Sequence, residues 1–442
     1  MSDLVVVGGG LAGVEAAWQA ANRGIKVDLY EMRPEKMTPA HKTSNLAELV
    51  CSNSLRASSL ENAAGLLKEE MKKLGSLIMK IAERHQVPAG GAMAVDRERF
   101  AKDITETIEN HENINLKREE FKNLDAEKPT IIATGPLTSQ KLVNEILNFT
   151  DSKLLYFYDA AAPIVTYESI NHNKVFRASR YDKGTADYLN CPMTKEEYKR
   201  FYQELINGDV VQMKDFEKQI HFEGCMPVEV MAKRGAETLT FGPLKPVGLK
   251  DPRTGEVPYA VAQLRQDDKE GNLYNLVGFQ TQLKWPEQKR IFRLIPGLEN
   301  AEFVRYGVMH RNTYVNSPSI LKATYQLKDY PNIFLAGQIT GVEGYIESAS
   351  SGIVAGINAS RLLIEEETLT FPEETAHGAL SNYITTASPR NFQPMNINFG
   401  LLPPPEDKNK KKVPKKEKKA KQSEKALSSL ENFINENSLR LA

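Results

Sequence analysis

Cysteine is scarce in this 442-residue chain, which has only Cys51, Cys191 and Cys225. An odd, sparse set cannot build a disulfide framework and suits a reducing, cytoplasmic setting, so a cysteine in a conspicuous context is a candidate for reactivity. Long apolar runs are missing as well. No eighteen-residue uncharged apolar stretch occurs, which argues against a membrane partner, and Leu4 to Trp18, the one segment resembling a secretion signal, lacks a basic leader and carries Glu15. The chain as a whole has no net charge, but its parts do. Lys408 to Lys421 holds nine lysines against Glu417, so that stretch is +8 and the remainder −8. Such a run is either a solvated tail or an arm that contacts an RNA backbone. No metal site is assigned.

What is present is ordinary globular material, long enough for two to three domains. Leu4-Val5-Val6-Val7 is a continuous apolar run that suits a buried parallel strand. Ala12 to Arg23 is Ala-rich and proline-free and reads as a helix, and Lys26 to Tyr30 supplies a second strand. From Asn62 to Arg84, apolar residues recur every three to four positions and predict one amphipathic helix. Thr130 to Ala133 and Asn332 to Gly337 repeat the pattern of a buried strand ending in glycine, the latter followed by a helix over Ser348 to Leu363. Between them, Tyr259 to Gln266 and Leu273 to Gln280 flank Asp267 to Asn272 as a hairpin, and Thr194 with Glu197 makes a capping box opening a helix toward Asn207. Ser423 to Asn435 predicts a short terminal helix.

Gly8, Gly10 and Gly13 occupy the glycine places of the dinucleotide fingerprint, within the turn Gly8-Gly9-Gly10-Leu11-Ala12-Gly13. Glu31 ends the second strand, where an acid hydrogen-bonds a ribose hydroxyl. The turn leaves helix N–H groups free for phosphates. The late glycine-ended strand at Gly337 favours FAD over NAD, because a helix dipole there stabilises negative charge on a reduced ring. The fold class is therefore α/β: a Rossmann-like FAD-binding domain of the glutathione-reductase-like kind with a mixed α/β insertion. The expected division is 1–150 and 305–402 for the two parts of the FAD-binding domain, 151–304 for the insertion and 403–442 for a Pro/Lys-rich tail.

Cys51 lies in Leu49-Val50-Cys51-Ser52-Asn53-Ser54-Leu55-Arg56, and Arg56 stands where a flavin disulfide reductase would carry its second cysteine. Dithiol chemistry within this motif is excluded. Cys225 sits in a loop-like segment with charges and Gly224 beside it, whereas Cys191 has no charged residue within two positions and reads as a buried small hydrophobe.

These motifs, with Tyr188-Leu189-Asn190-Cys191-Pro192-Met193, Phe222-Glu223-Gly224-Cys225-Met226-Pro227, Arg305 to Asn312 and Leu335 to Tyr345, resemble the FAD- and folate-dependent tRNA (uracil-5-)-methyltransferases from Val5 to about Pro404. The relatives that carry carboxymethylaminomethyl chemistry share the fingerprint but are much longer. The resemblance implies FAD, methylenetetrahydrofolate as carbon donor, NADPH or NADH as electron source, and the T-arm uridine of tRNA as target. Uracil C5 is a poor nucleophile until a thiolate adds at C6. The resemblance makes Cys225 that nucleophile and Cys51 the general acid/base or a protector of the transferred carbon, with the reverse assignment open. Arg305 to Tyr314 are candidate RNA contacts, or a strand and turn beneath the flavin. A ribosomal uridine as target, a small-molecule flavin oxidoreductase and a non-catalytic RNA-binding flavoprotein remain the competing readings.

Overall fold

The computed structural model describes residues 2–150, 155–160, 162–182, 185–211, 226–307, 309–404 and 415–441. Its first sheet has five strands in the order Ile333–Leu335, Thr130–Ile132, Leu4–Val7, Val27–Tyr30, Ile114–Lys117, and every pairing is parallel. Parallel strands need helical crossovers on both faces, so the central ones read as unbroken apolar runs, and Leu4–Val7 is buried throughout. The helices Leu11–Ala21 and Tyr345–Leu363 pack side by side on this sheet, both rich in small residues that allow close approach. This α/β core agrees with the fold class read from the sequence.

A second, antiparallel sheet of six strands is built from residues 164 to 305, in the order Phe176–Arg177, Leu189–Met193, Ala260–Gln266, Leu273–Leu276, Ile164–Thr166, Phe303–Arg305. It has its own apolar core, which includes Tyr198, Phe201, Phe279 and Phe292. The helix Lys195–Asn207 opens on the capping box of Thr194 and Glu197. The two units meet where the Ala260–Gln266 hairpin leans on the first. Asn53 Nδ2 donates to the Val95 and Gln266 carbonyls, Lys269 N–H donates to Asp96, and Arg99 pairs with Glu270.

Two elements depart from the periodicity. The single helix expected over Asn62 to Arg84 is broken into Ala63–Lys73 and Leu77–Arg84. Gly75 turns the chain at φ +73°, Ser76 Oγ caps the second helix by accepting from Met79 N–H, and the buried carboxylate of Glu15 accepts from the N–H groups of Leu77 and Ile78. The terminal helix is longer than its apolar pattern, spanning Lys415–Glu436. Ala426, Leu430 and Ile434 are buried beneath it, and Lys73 pairs with Glu431 at 2.8 Å. Among the described residues no helix is long and apolar enough to cross a membrane.

Candidate active site

The strand Leu4–Val7 turns at Gly8, whose φ is +107° and where a Cβ would lie 2.6 Å from the Ala133 carbonyl oxygen. At Gly13 a Cβ would meet the Gly8 carbonyl oxygen at 1.8 Å, so only glycine lets the helix seat against the strand. At Gly10 nothing stands within 4 Å, which leaves the backbone open to an approaching group. Gly10 is also the N-cap of Leu11–Ala21 and has no side-chain cap, so first-turn N–H groups face outward unspent. These groups border a cleft that runs past Leu11, Ala12 and Glu31 to Thr134, Gly337 and Tyr345. Across it Gly337 takes φ +81°, and the Tyr345–Leu363 helix begins at Gly344, again without a side-chain cap. An elongated cleft with uncapped helix N-termini bordering it fits an anionic dinucleotide, and the residues present fit FAD.

Glu31 lines this cleft and is nevertheless fully engaged. One carboxylate oxygen accepts from Arg33 N–H and Nε, the other from Gly9 N–H and Arg33 Nη2, all at 2.9 to 3.0 Å. Burial pushes its pKa up, but the Arg33 guanidinium and these bonds outweigh that and hold the carboxyl below the usual range. Arg33 is buried too, and reaches Glu48 at 3.2 Å. The acid therefore first holds the glycine turn in place. Sequence pattern placed Glu31 at the strand end but carried no sign of Arg33.

Cys51 is half-buried, next to Val50, which lines the cleft. Its N–H donates to Tyr345 Oη at 2.7 Å, and Ser52 N–H does so at 3.2 Å. Burial pushes the Tyr345 phenol above its ordinary range, so it is neutral at physiological pH. Arg97, the first residue of the helix Arg97–Glu109, donates to the Leu49 carbonyl at 2.9 Å and to Asp267 at 2.7 Å. Arg305 donates to the Val50 carbonyl at 2.6 Å, so in this segment the strand-and-turn reading describes Arg305. Arg265 donates to Asn53 Oδ1 at 3.1 Å. None of these arginines belongs to a motif that spacing could connect to Cys51; the nearest signal was the presence of Arg305 and Tyr345 in runs quoted for their resemblance.

The structure thus brings Gly8 to Ala12, Glu31 and Gly337 to one cleft, with Gly13 packed behind the turn and Cys51 beside the cleft. Cys191 is elsewhere, fully buried in the second core, where burial pushes its thiol up and makes it inert. Cys225 lies outside the described residues.

A parallel sheet with an uncapped glycine turn and a second glycine-ended strand at one cleft, with Cys51 beside it, defines an α/β FAD-binding protein. The family model for glucose inhibited division protein A matches residues 3–367. The methylenetetrahydrofolate–tRNA-(uracil-5-)-methyltransferase TrmFO of Natranaerobius thermophilus is 69% identical over 431 residues, covering 98% of this chain and 99% of its own. The protein of the same name from Heliobacterium modesticaldum is 62% identical over 434 residues, 98% of each. This chain belongs to that family of folate-dependent tRNA (uracil-5-)-methyltransferases. Aquifex aeolicus GidA shares its fold, with a TM-score of 0.73 at 18% identity over 99% of this chain and 74% of the other.

Proposed function

We propose that the chain methylates uracil C5 of the T-loop uridine of tRNA to give 5-methyluridine, with methylenetetrahydrofolate as carbon donor and NADPH or NADH as electron source. The observation that carries this reading is the Cys51 loop, pinned by Tyr345, Arg97 and Arg305 beside a dinucleotide cleft in a chain of this family. FAD, when bound along the cleft, supplies the reducing equivalents for the methyl group. The glycine turn and the N-terminus of Leu11–Ala21 hold its pyrophosphate, and the Glu31–Arg33 pair keeps that turn rigid. Cys225 adds as thiolate to uracil C6, moving an electron pair toward O4 and making C5 nucleophilic. After the carbon has joined C5 and its bond to the folate nitrogen has broken, Cys51 takes the C5 proton, the C–H electron pair re-forms the C5=C6 double bond, and the C6–sulfur bond breaks with its pair returning to Cys225 as thiolate.

The RNA side rests on two surfaces. Trp285 is 57% exposed and stacks on Tyr306 at 5.4 Å and 13°, and Tyr306 stacks on Phe303 at 5.4 Å and 12°. Such a rigid ladder with an open face suits an unstacked base of the T arm. The docked helix Lys415–Glu436 carries Lys418, Lys419 and Lys421 at its start, positive charges that attract the phosphates of an RNA backbone. A tRNA target places the reaction in the cytoplasm.

The test supplies the protein with FAD, methylenetetrahydrofolate and NADPH and gives it tRNA and ribosomal RNA separately, then digests both to nucleosides. Formation of 5-methyluridine in tRNA alone is expected; appearance in ribosomal RNA alone moves the target. A covalent adduct with 5-fluorouracil-containing T-arm RNA that persists in Cys225→Ala removes Cys225 as nucleophile.

A further inference from the structure

Three guanidinium groups converge around the Cys51 loop from three separate elements: Arg97 from a helix start, Arg265 from Ala260–Gln266 and Arg305 from Phe303–Arg305. Among the described residues Asp267, only 3% exposed, is the one carboxylate bonded to them, through Arg97. Glu48 also faces Arg305 and shares Arg33 with Glu31, so this trio contributes one negative charge to the set. Tyr188 faces Arg265, and Tyr345 faces both Arg97 and Arg305. Both are phenols that burial keeps neutral. Among the described residues the set carries a net positive charge, and the Nε–H groups of Arg97 and Arg305 are buried with no hydrogen-bond partner there. An uncompensated buried charge is costly.

Burial weakens the charged state of Arg265 and Arg305, and Arg97 repels both, while Arg97 is held charged against burial by Asp267. The thiol of Cys51 interacts electrostatically with both Arg97 and Arg265. We infer that Arg97, Arg265 and Arg305 are positioning residues that fix the Cys51 loop by its carbonyls and, through their excess positive charge, hold the Cys51 sulfur as the thiolate. The thiol proton leaves to solvent, and the anion it leaves behind balances the cluster. The inference rests on the reading above only in making that thiolate the acceptor of the C5 proton. Asp267 then acts as a brake, because it cancels part of the charge.

The experiment alkylates FAD-loaded protein with iodoacetamide and follows the Cys51 peptide by mass spectrometry. The rate near pH 7 is divided by the plateau rate near pH 10, so that access to the sulfur cancels and only ionisation is read, each decade being about 1.4 kcal/mol. Arg97→Met and Arg305→Met are expected to lower this ratio by about tenfold. The lysine variants, which keep the charge, should stay within about threefold of the parent protein. Asp267→Asn is expected to move the midpoint of the rate–pH profile, followed from pH 4 to 10, to lower pH, so that a parent sulfur already ionised at pH 7 does not mask the change. Unchanged ratios in the methionine variants, or a midpoint in Asp267→Asn that does not move to lower pH, overturn the inference. If the methionine variants do not load FAD, the sign of the Asp267→Asn change decides alone. Because no RNA or folate is present, a failure here is separable from a failure of the methylation assay.

Discussion

Tyr345 Oη accepts the Cys51 N–H at 2.7 Å, joining the Cys51 loop to the first turn of the helix Tyr345–Leu363, 294 residues away in sequence. The same oxygen accepts Ser52 N–H, so one phenol orders the turn that carries the thiol. Tyr345→Phe removes the acceptor that the two N–H groups share, at a cost of about 1 to 3 kcal/mol. Single-turnover formation of 5-methyluridine is expected to fall by about tenfold or more, with FAD retained. Unchanged turnover would show that the loop holds its shape without the phenol.

The Glu31–Arg33 pair should govern cofactor retention. Glu31→Gln removes the charge that balances a buried guanidinium while Glu48 still touches it, and a loss of about 2 to 4 kcal/mol is expected. Purified variant protein is expected to carry much less FAD, read as the ratio of flavin to protein absorbance. A normal ratio contradicts the anchoring role.

Glu15 supplies a pH dependence. Burial raises its carboxyl to about 7, against the bonds from Ser76, Ile78 and Leu77. A pKa above the unfolded value means that the folded state holds the proton more tightly. Its contribution is fully present below the unfolded pKa and is lost as pH rises through about 7. Thermal melts of the parent protein should lose stability between pH 5 and 8 by a term on the order of 3 kcal/mol that Glu15→Gln lacks. Parallel pH curves for the two proteins would refute this.

Gly352 tests how the two glycine-rich helices meet. A Cβ there would lie 2.1 Å from the Ala12 carbonyl oxygen, in the first turn of the phosphate-binding helix. Gly352→Ala is expected to destabilise by about 1 to 3 kcal/mol and to weaken FAD binding together with stability. A variant that melts normally would mean that the helices can slide apart at no cost.

Trp285→Ala should leave melting unchanged, because the ring is largely exposed, yet weaken tRNA binding by about 1 to 3 kcal/mol. Filter binding at fixed salt measures it. An unaltered affinity would place the T arm on another surface.

Features that depend on a few neighbouring residues were legible in sequence alone. The Gly8–Gly13 turn, the Thr194 capping box and the buried strands all follow from short-range sterics, spacing and hydrogen bonding. Resemblance then added what no periodicity carries, the class of substrate. Tertiary structure alone decided the rest. The break after Lys73 is stabilised by Glu15, which accepts N–H groups more than sixty residues away in sequence, and amphipathic spacing continues across it unaltered. The union of Arg97, Arg265, Asp267 and Arg305 at Cys51 arises where a hairpin of one sheet lies on the other unit. Charges brought together by packing leave no trace in local sequence, because the field at an atom depends on distance in space and not along the chain.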